Sequence, residues 1–438
     1  MKVITSSRFD KEKSYAIHVI CSELLNIPYE IEWRSDEPNY RLVLPSGVAL
    51  VIEDHFFGQI EDSDYCARQY VPEQAAECLN PFNQLPLTVI FGSGRFDLQP
   101  SNACCGIDLF ASAFFMLTRW EERALPVRDK HGRFPAAESL AFRCGFLHRP
   151  VVHEWAELLG QLLIHLGFTL PPMKRQYQLH VSCDVDHPRL WWSAKDRIKT
   201  LTGALLKRKS VSEFIYLLRN QFFTKKDPYD IFDEWFGLFH QNHLTVQFNL
   251  MGKRAPQSDC WYPLDHPFVQ HLIKRIQTEG HHIGLHPSYE SLNNPEVIIQ
   301  EKTSLEIPVS KGRQHYLRCT IPETWRTWAE AGMMEDSTMG YPESEGFRCG
   351  ICIAYPVFDI TQRTVLQLKE LPLIAMDVTL AQYQHYSPQE ALHRLETLSA
   401  QVRRHQGVFT LLWHNSSWNT YFWAPWKRVF HHALTHFR

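Results

Sequence analysis

The chain has 438 residues, 44% of them hydrophobic, which is enough apolar material for two cores and predicts two domains of ordinary size. Its 45 basic and 48 acidic side chains leave a formal charge of −3, so no global field favours nucleic acid, an anionic membrane or an acidic polymer. Eleven cysteines, scattered, odd in number and with Cys104 and Cys105 adjacent, argue for reduced thiols rather than a disulfide framework.

The start, MKVITSSRFDKEKSYAIHVI, interrupts with charge the apolar core that a secretory signal needs, so a cytoplasmic location is expected. The best apolar run, 109–117, is about half the ~20 residues that span a bilayer. No transmembrane segment is expected, and peripheral membrane contact stays open.

Through the first 170 residues, strand-like runs such as YRLVLPSGVALVIED and LPLTVIFGSG alternate with helix-like ones such as 107–120. This predicts a mixed α/β domain of unknown function over 1–172. DLFASAFFMLTRWEER buries one apolar face and ends in charge, which places Glu121, Glu122 and Arg123 at a solvated helix end. VVHEWAELLGQLLIHLGFT has apolar spacings of three and four and finishes in Gly167, as an amphipathic helix does. Pro171 and Pro172 then mark 170–176 as the domain boundary.

Beyond it, QLHVSCDVD reads as a strand with a polar exit, 232–240 as a helix, and LTVQFNLMG as the next strand. Strands alternating with helices predict a parallel sheet with function at the carboxyl ends of its strands. A basic insert at about 194–226 interleaves lysine and arginine with Leu, Ile and Phe. A solvated helix pair is expected there, the alternatives being a patch for a membrane surface or an acidic glycan. Cys349 and Cys352 form a CxxC without the second pair that a structural zinc site needs, so they are expected to be wall thiols.

Asp184 and Asp186 stand two apart at a strand end, where period-two alternation aims both carboxylates to one side. Two like charges side by side are costly unless a cation neutralises one, so the pair suits a metal ligand beside a base. EGHHIGLHPSYES brings His281, His282 and His286 into a short strand ending at Pro287, and GVFTLLWHNSSW delivers His414 at the carboxyl end of another. Histidines facing carboxylates at strand ends suit zinc or a similar divalent ion.

Together SCDVD, TVQFNLMG, GHHIGLH, RQHYLR and LWH resemble the motifs of the polysaccharide deacetylases of the NodB-homology group, carbohydrate esterase family four, over roughly 177–420. The resemblance implies a distorted (β/α) barrel over 177–438 and a divalent metal cofactor, zinc by preference. The implied activity is that of a carbohydrate N-deacetylase, a hydrolase acting on carbon–nitrogen amide bonds. It implies Asp184 as general base, Asp186 and His286 as metal ligands, and His414 as the general acid that protonates the departing amine.

Where the family has its second histidine ligand, this chain has Glu290, which is expected to complete the metal site because a carboxylate can replace an imidazole on zinc. His282 and His315 are the other candidates. RQHYLR resembles the third motif and implies that Arg313 orients the base while the Tyr316 backbone amide stabilises an oxyanion. Asp336 of MEDSTMGY, Arg348 of GFRCG and Trp413 of LWH are the expected substrate-binding residues.

The N-terminal RWEER and HGRFP resemble an uncharacterised domain attached to such deacetylases. The implied substrate is an amino-sugar glycan or a nucleotide- or lipid-linked precursor in surface polysaccharide synthesis, with no nucleic-acid partner; the oligomeric state is not legible. A catalytically degenerate glycan-binding domain and a metal-independent amidase acting on a small amide are the alternatives. The aromatic tail, SSWNTYFWAPWKRVFHHALTHFR, is expected to pack against the barrel.

Overall fold

The structure, a computed structural model, describes residues 1–62, 65–99, 102–224, 226–253 and 260–438. It is mixed α/β, built on two main sheets. The first contains β1 (Lys2–Thr5), β2 (Glu30–Trp33), β3 (Tyr40–Val43) and β4 (Ala49–Ile52). A separate antiparallel hairpin, β5 (Ala76–Leu79) and β6 (Pro86–Val89), precedes its last strands, β7 (Gly92–Gln99) and β8 (Asn102–Ile107). The order is β2-β1-β3-β4-β8-β7.

The helix Leu109–Leu117 follows directly. Asp108 caps it by accepting from the Ala111 amide, and every one of its residues is buried, as an all-round apolar helix requires.

The second sheet comprises β9 (Gln178–Val185), β10 (Gln247–Met251), β11 (His282–His286), β12 (Lys311–Gly312), β13 (Glu335–Asp336), β14 (Tyr355–Asp359), β15 (Thr364–Glu370), β16 (Ala375–Met376) and β17 (Val408–Leu412). Its order is β14-β15-β13-β12-β11-β10-β9-β17-β16. Among the described residues, every ladder in it is parallel except β14 on β15, and β14 and β16 are its two edges. The strands β9, β10 and β11 end side by side, so their carboxyl ends gather the residues that follow into one place.

Gly284 shows how closely these strands approach. A Cβ there would lie 2.1 Å from Asn249 Oδ1, so a larger residue would push aside the Asn249 side chain, which reaches over to Asp184.

One continuous apolar core runs from Val3 to Phe437 and joins both sheets. Tyr15 and Phe114 of the first part both pack on Phe358 of β14, with ring centroids 5.1 and 5.4 Å apart. The aromatic tail closes the far side: Trp413, Trp418 and Trp235 surround Phe430 on the helix Lys427–His436.

The polar joint between the two parts corrects one expectation. Glu121 and Glu122 are not at a solvated helix end; both are fully buried, and Arg123 alone of the three is exposed. Arg119, in a left-handed conformation (φ 52°), turns the chain so that its guanidinium meets Glu121 at 2.7 Å and Glu122 at 2.8 Å. Arg348 then grips Glu122 with two bonds, 2.9 and 2.6 Å long, and donates to the Gly340 carbonyl. Arg348 is therefore a structural clamp inside the core and not a substrate contact.

The basic insert forms two helices, Ala194–Leu206 and Val211–Arg219, capped by Ser193 and Ser210. No helix among the described residues is long and apolar enough to cross a membrane. All eleven cysteines are free, and Cys349 and Cys352 are buried in the core.

Breaking a buried ion pair from one side leaves an uncompensated charge, which costs about 3–5 kcal/mol. Arg348→Met should lower unfolding stability by that order in a urea titration. Adding Glu122→Gln should recover part of the loss.

Candidate active site

The site is built from strand ends. Asp184 lies on β9 in register with Asn249 on β10, and Asn249 Nδ2 donates to Asp184 Oδ1 at 2.7 Å. Arg313, the residue after β12, donates to the same oxygen at 3.0 Å and to Ser182 Oγ at 2.9 Å, and its Nε to the Ser337 carbonyl. Burial alone would raise the Asp184 carboxyl; the Arg313 guanidinium and nearby histidines outweigh it, and the pKa is lowered. The group is a buried carboxylate held in its charged form.

Asp186, just past β9, reaches the same space and is a quarter exposed to it. Its Oδ1 lies 3.2 Å from His286 Nε2 and 3.7 Å from His315 Nε2. His286 ends β11, and its Nδ1–H donates to the Arg313 carbonyl at 2.6 Å, which fixes the tautomer, because a carbonyl can only accept. Nε2 is thereby turned toward the Asp186 and Asp184 carboxylates, 3.2 and 3.9 Å away, and these raise the imidazole pKa against the effect of burial. His315 sits in the short turn His315–Leu317, its ring 4.9 Å from that of His286.

Asp186, His286 and His315 offer one oxygen and two nitrogens, all within 4.8 Å of one another. Asp186 Oδ1 is buried yet accepts no hydrogen bond. A cation would satisfy that oxygen and bind the two imidazoles in their neutral form, and a carboxylate with two imidazoles is a common donor set for zinc with an open position. The residues present fit a divalent metal ion.

His414 follows β17 by two residues. Its Nδ1 donates to Asp377 Oδ1 at 2.8 Å while its backbone amide donates to Asp377 Oδ2 at 2.9 Å, so one carboxylate fixes both ring and main chain. Nε2 is left facing Asp186 at 4.0 Å. Burial alone would lower the imidazolium; Asp377 and the two site aspartates more than offset it, and the pKa is raised to about 10.

Asp184, Asp186, His286, His315 and His414 line a cavity of about 250 Å³ that opens to solvent, near the lower end of small-molecule sites. Tyr316 forms its mouth in a left-handed conformation (φ 60°). The N-terminal part braces that turn: Arg133 donates to the Tyr316 carbonyl at 2.9 Å, and the His131 ring stacks on the Tyr316 ring at 5.2 Å.

Among the expected site residues, Asp184, Asp186, His286, Arg313, Tyr316 and His414 thus converge. Glu290 does not join the donor cluster. After Pro287 the chain enters the turn Tyr289–Ser291, which leaves Glu290 exposed, and His315 supplies the third group instead. His282, at the entry of β11, is exposed at the opposite end of the strand from His286.

The three expected substrate-binding residues also lie elsewhere. Arg348 is the core clamp described above. Trp413 is fully buried, donating to the Ser417 carbonyl and packing on Phe430. Asp336 is buried opposite Glu370 in the β13–β15 ladder and accepts from the Thr338 amide and hydroxyl. Asn249 and Asp377 were missed by the sequence reading. Their signals are present, a lone polar residue inside the apolar run VQFNLM and an aspartate closing the apolar run LPLIAMD.

Burial pushes the Asp336 carboxyl up to about 6 and the Glu370 carboxyl well up. The folded chain therefore holds a proton that the unfolded chain releases at lower pH, so this contribution is full below about pH 4 and is lost as pH rises through 6. Asp336→Asn should remove that loss, so that the variant gains on wild type progressively as pH rises from about 4 to 7 in urea unfolding.

Residues 1–167 match a family described as of unknown function, DUF7033. No curated protein matches the chain. Among solved structures, a candidate polysaccharide deacetylase from Mycobacterium smegmatis is similar at 12% identity and a TM-score of 0.36, over 60% of this chain and 83% of that one. A candidate polysaccharide deacetylase involved in O-antigen biosynthesis, from Bordetella bronchiseptica, is similar at 11% identity and a TM-score of 0.29, over 55% and 72%. Neither likeness is close enough to carry an activity over.

Proposed function

We propose that the chain is a metal-dependent carbohydrate N-deacetylase of the NodB-homology type. Its chemistry would reside in residues 177–438, an open, distorted (β/α) barrel, with residues 1–172 as an accessory domain that braces the site. One observation carries this reading. A buried ionised carboxylate, a carboxylate with two imidazoles and a carboxylate-held imidazolium face one cavity.

A divalent ion held by Asp186, His286 and His315, zinc by preference, would supply Lewis-acid polarisation and lower the pKa of water. Asp184, kept ionised by Arg313 and Asn249, accepts a proton from the attacking water as its oxygen bonds to the amide carbon. The Tyr316 turn, held by Arg133, offers its backbone amide to the developing oxyanion. His414, protonated and aligned by Asp377, gives its proton to the nitrogen as the carbon–nitrogen bond breaks. Acetate and a free sugar amine leave, and Asp184 and His414 return to their starting states by exchange with solvent.

The substrate class is an N-acetylated amino-sugar glycan or its precursor in surface polysaccharide synthesis. Eleven free thiols support a reducing, cytoplasmic setting.

The test is metal content by mass spectrometry together with acetate release from N-acetylated oligosaccharides. His315→Ala should lose both metal and turnover, whereas Glu290→Gln should keep both. Asp184→Asn should keep the metal and lose roughly 10²- to 10⁴-fold in rate. A folded wild-type protein that takes up no metal and releases no acetate would overturn the proposal.

A further inference from the structure

The helical insert is apolar on two faces, and only one of them is covered. Inward, Trp191, Ala204 and Leu217 form a small buried cluster with Leu201 and Phe214 packed on it.

Outward, a second stripe runs along each helix. Lys195, Ile198, Lys199, Leu205 and Leu206 share one side of Ala194–Leu206 by their spacing, and Val211, Ile215, Arg219 and Phe222 continue it on the next helix and its extension. Leu206 is 79% exposed, Ile198 63%, Val211 62% and Phe222 63%. Lone exposed apolar residues are common, but a row of six interleaved with cations is not an ordinary solvated face.

The charge of this face is one-sided. Residues 194–222 hold seven basic side chains, Lys195, Arg197, Lys199, Lys207, Arg208, Lys209 and Arg219, against two acidic ones, Asp196 and Glu213, a net of 7 − 2 = +5. The whole chain carries −3, so the remainder carries −3 − 5 = −8. The two acids offset this charge only in part: Glu213 pairs with Arg208 at 2.8 Å, and Asp196, which accepts from Ser193 and the Trp192 amide, faces Lys199. Lys207 and Lys209, both exposed, follow Leu205 and Leu206 closely, the arrangement in which alkyl stems lie over an apolar surface while the cations reach anionic headgroups; Arg208 between them is held by Glu213 and the Thr200 carbonyl.

We propose that the outer face of residues 194–222 docks the protein on an anionic phospholipid bilayer. The apolar stripe enters the acyl boundary, and the flanking lysines and Arg219 meet lipid phosphates. The strongly asymmetric charge presents this face first.

The docked orientation also bears on the cavity. A groove of about 810 Å³ runs between the insert and residues 416–423 and reaches Asp186 and His414. Tyr421, half exposed on the same rim, touches Tyr216 of the insert. Resting on the deacetylase reading, this groove would admit a glycan carried on a membrane lipid.

The experiment is co-sedimentation of the full chain with phosphatidylcholine vesicles with and without phosphatidylglycerol. The wild type should sediment with the anionic vesicles and be released by high salt. The pair Leu206→Asp with Val211→Asp should weaken binding roughly tenfold or more, and so should Lys207→Glu with Lys209→Glu. All four positions are exposed, and unfolding curves matching wild type would confirm intact folds. No sedimentation with anionic vesicles, sedimentation indifferent to phosphatidylglycerol, or sedimentation unchanged in both variants would overturn the proposal. None of these readouts depends on acetate release, so membrane docking and deacetylation fail separately.

Discussion

Arg313 is the residue on which the site depends. Its guanidinium holds the Asp184 carboxylate and Ser182 on β9 and the Ser337 carbonyl beyond β13, while its own carbonyl fixes the tautomer of His286 from β11. Its Nε and Nη1 donate to the groups that must be placed, while Nη2 is buried without a hydrogen-bond partner. One desolvated cation thereby sets both the charge state of the Asp184 carboxylate and the direction of the His286 Nε2.

The N-terminal part belongs to this machinery more than its separate sheet suggests. Its core is continuous with that of the second sheet, its Glu122 is the partner of Arg348, and its Arg133 holds the strained turn at Tyr316. A left-handed tyrosine is uncommon and persists where surrounding structure enforces it. HGRFP supplies that enforcement, with His131 over the ring and Arg133 on the carbonyl.

Strand ends were legible in the sequence because period-two alternation and a carboxyl-terminal polar residue are local signals. That is why Asp184, Asp186, His286 and His414 could be read directly. The same alternation says which side a residue takes, but not whether a cavity or a core lies there. Trp413, Asp336 and Arg348 each face interior rather than solvent space. The charge balance was hidden for a related reason. Glu122 looks like a surface residue until Arg348, 226 positions away, is brought against it. The third donor was misplaced because the turn after Pro287 carries Glu290 outward, and the turn that carries His315 inward follows β12, a strand of two residues with no periodicity to read.

The site also separates two protonation problems that a single cluster would confuse. The proposed reaction needs Asp184 ionised and His414 protonated at the same pH, yet the two lie close enough to influence one another. Each is given its own partner: Arg313 favours the charged carboxylate, and Asp377 favours the charged imidazole. Both arrangements stabilise the charged form, so neither group neutralises itself by taking or giving a proton across the cavity. The donor cluster adjoins both, with His286 Nε2 3.9 Å from Asp184 and His414 Nε2 4.0 Å from Asp186, and a cation held there would reinforce the ionised state of Asp184.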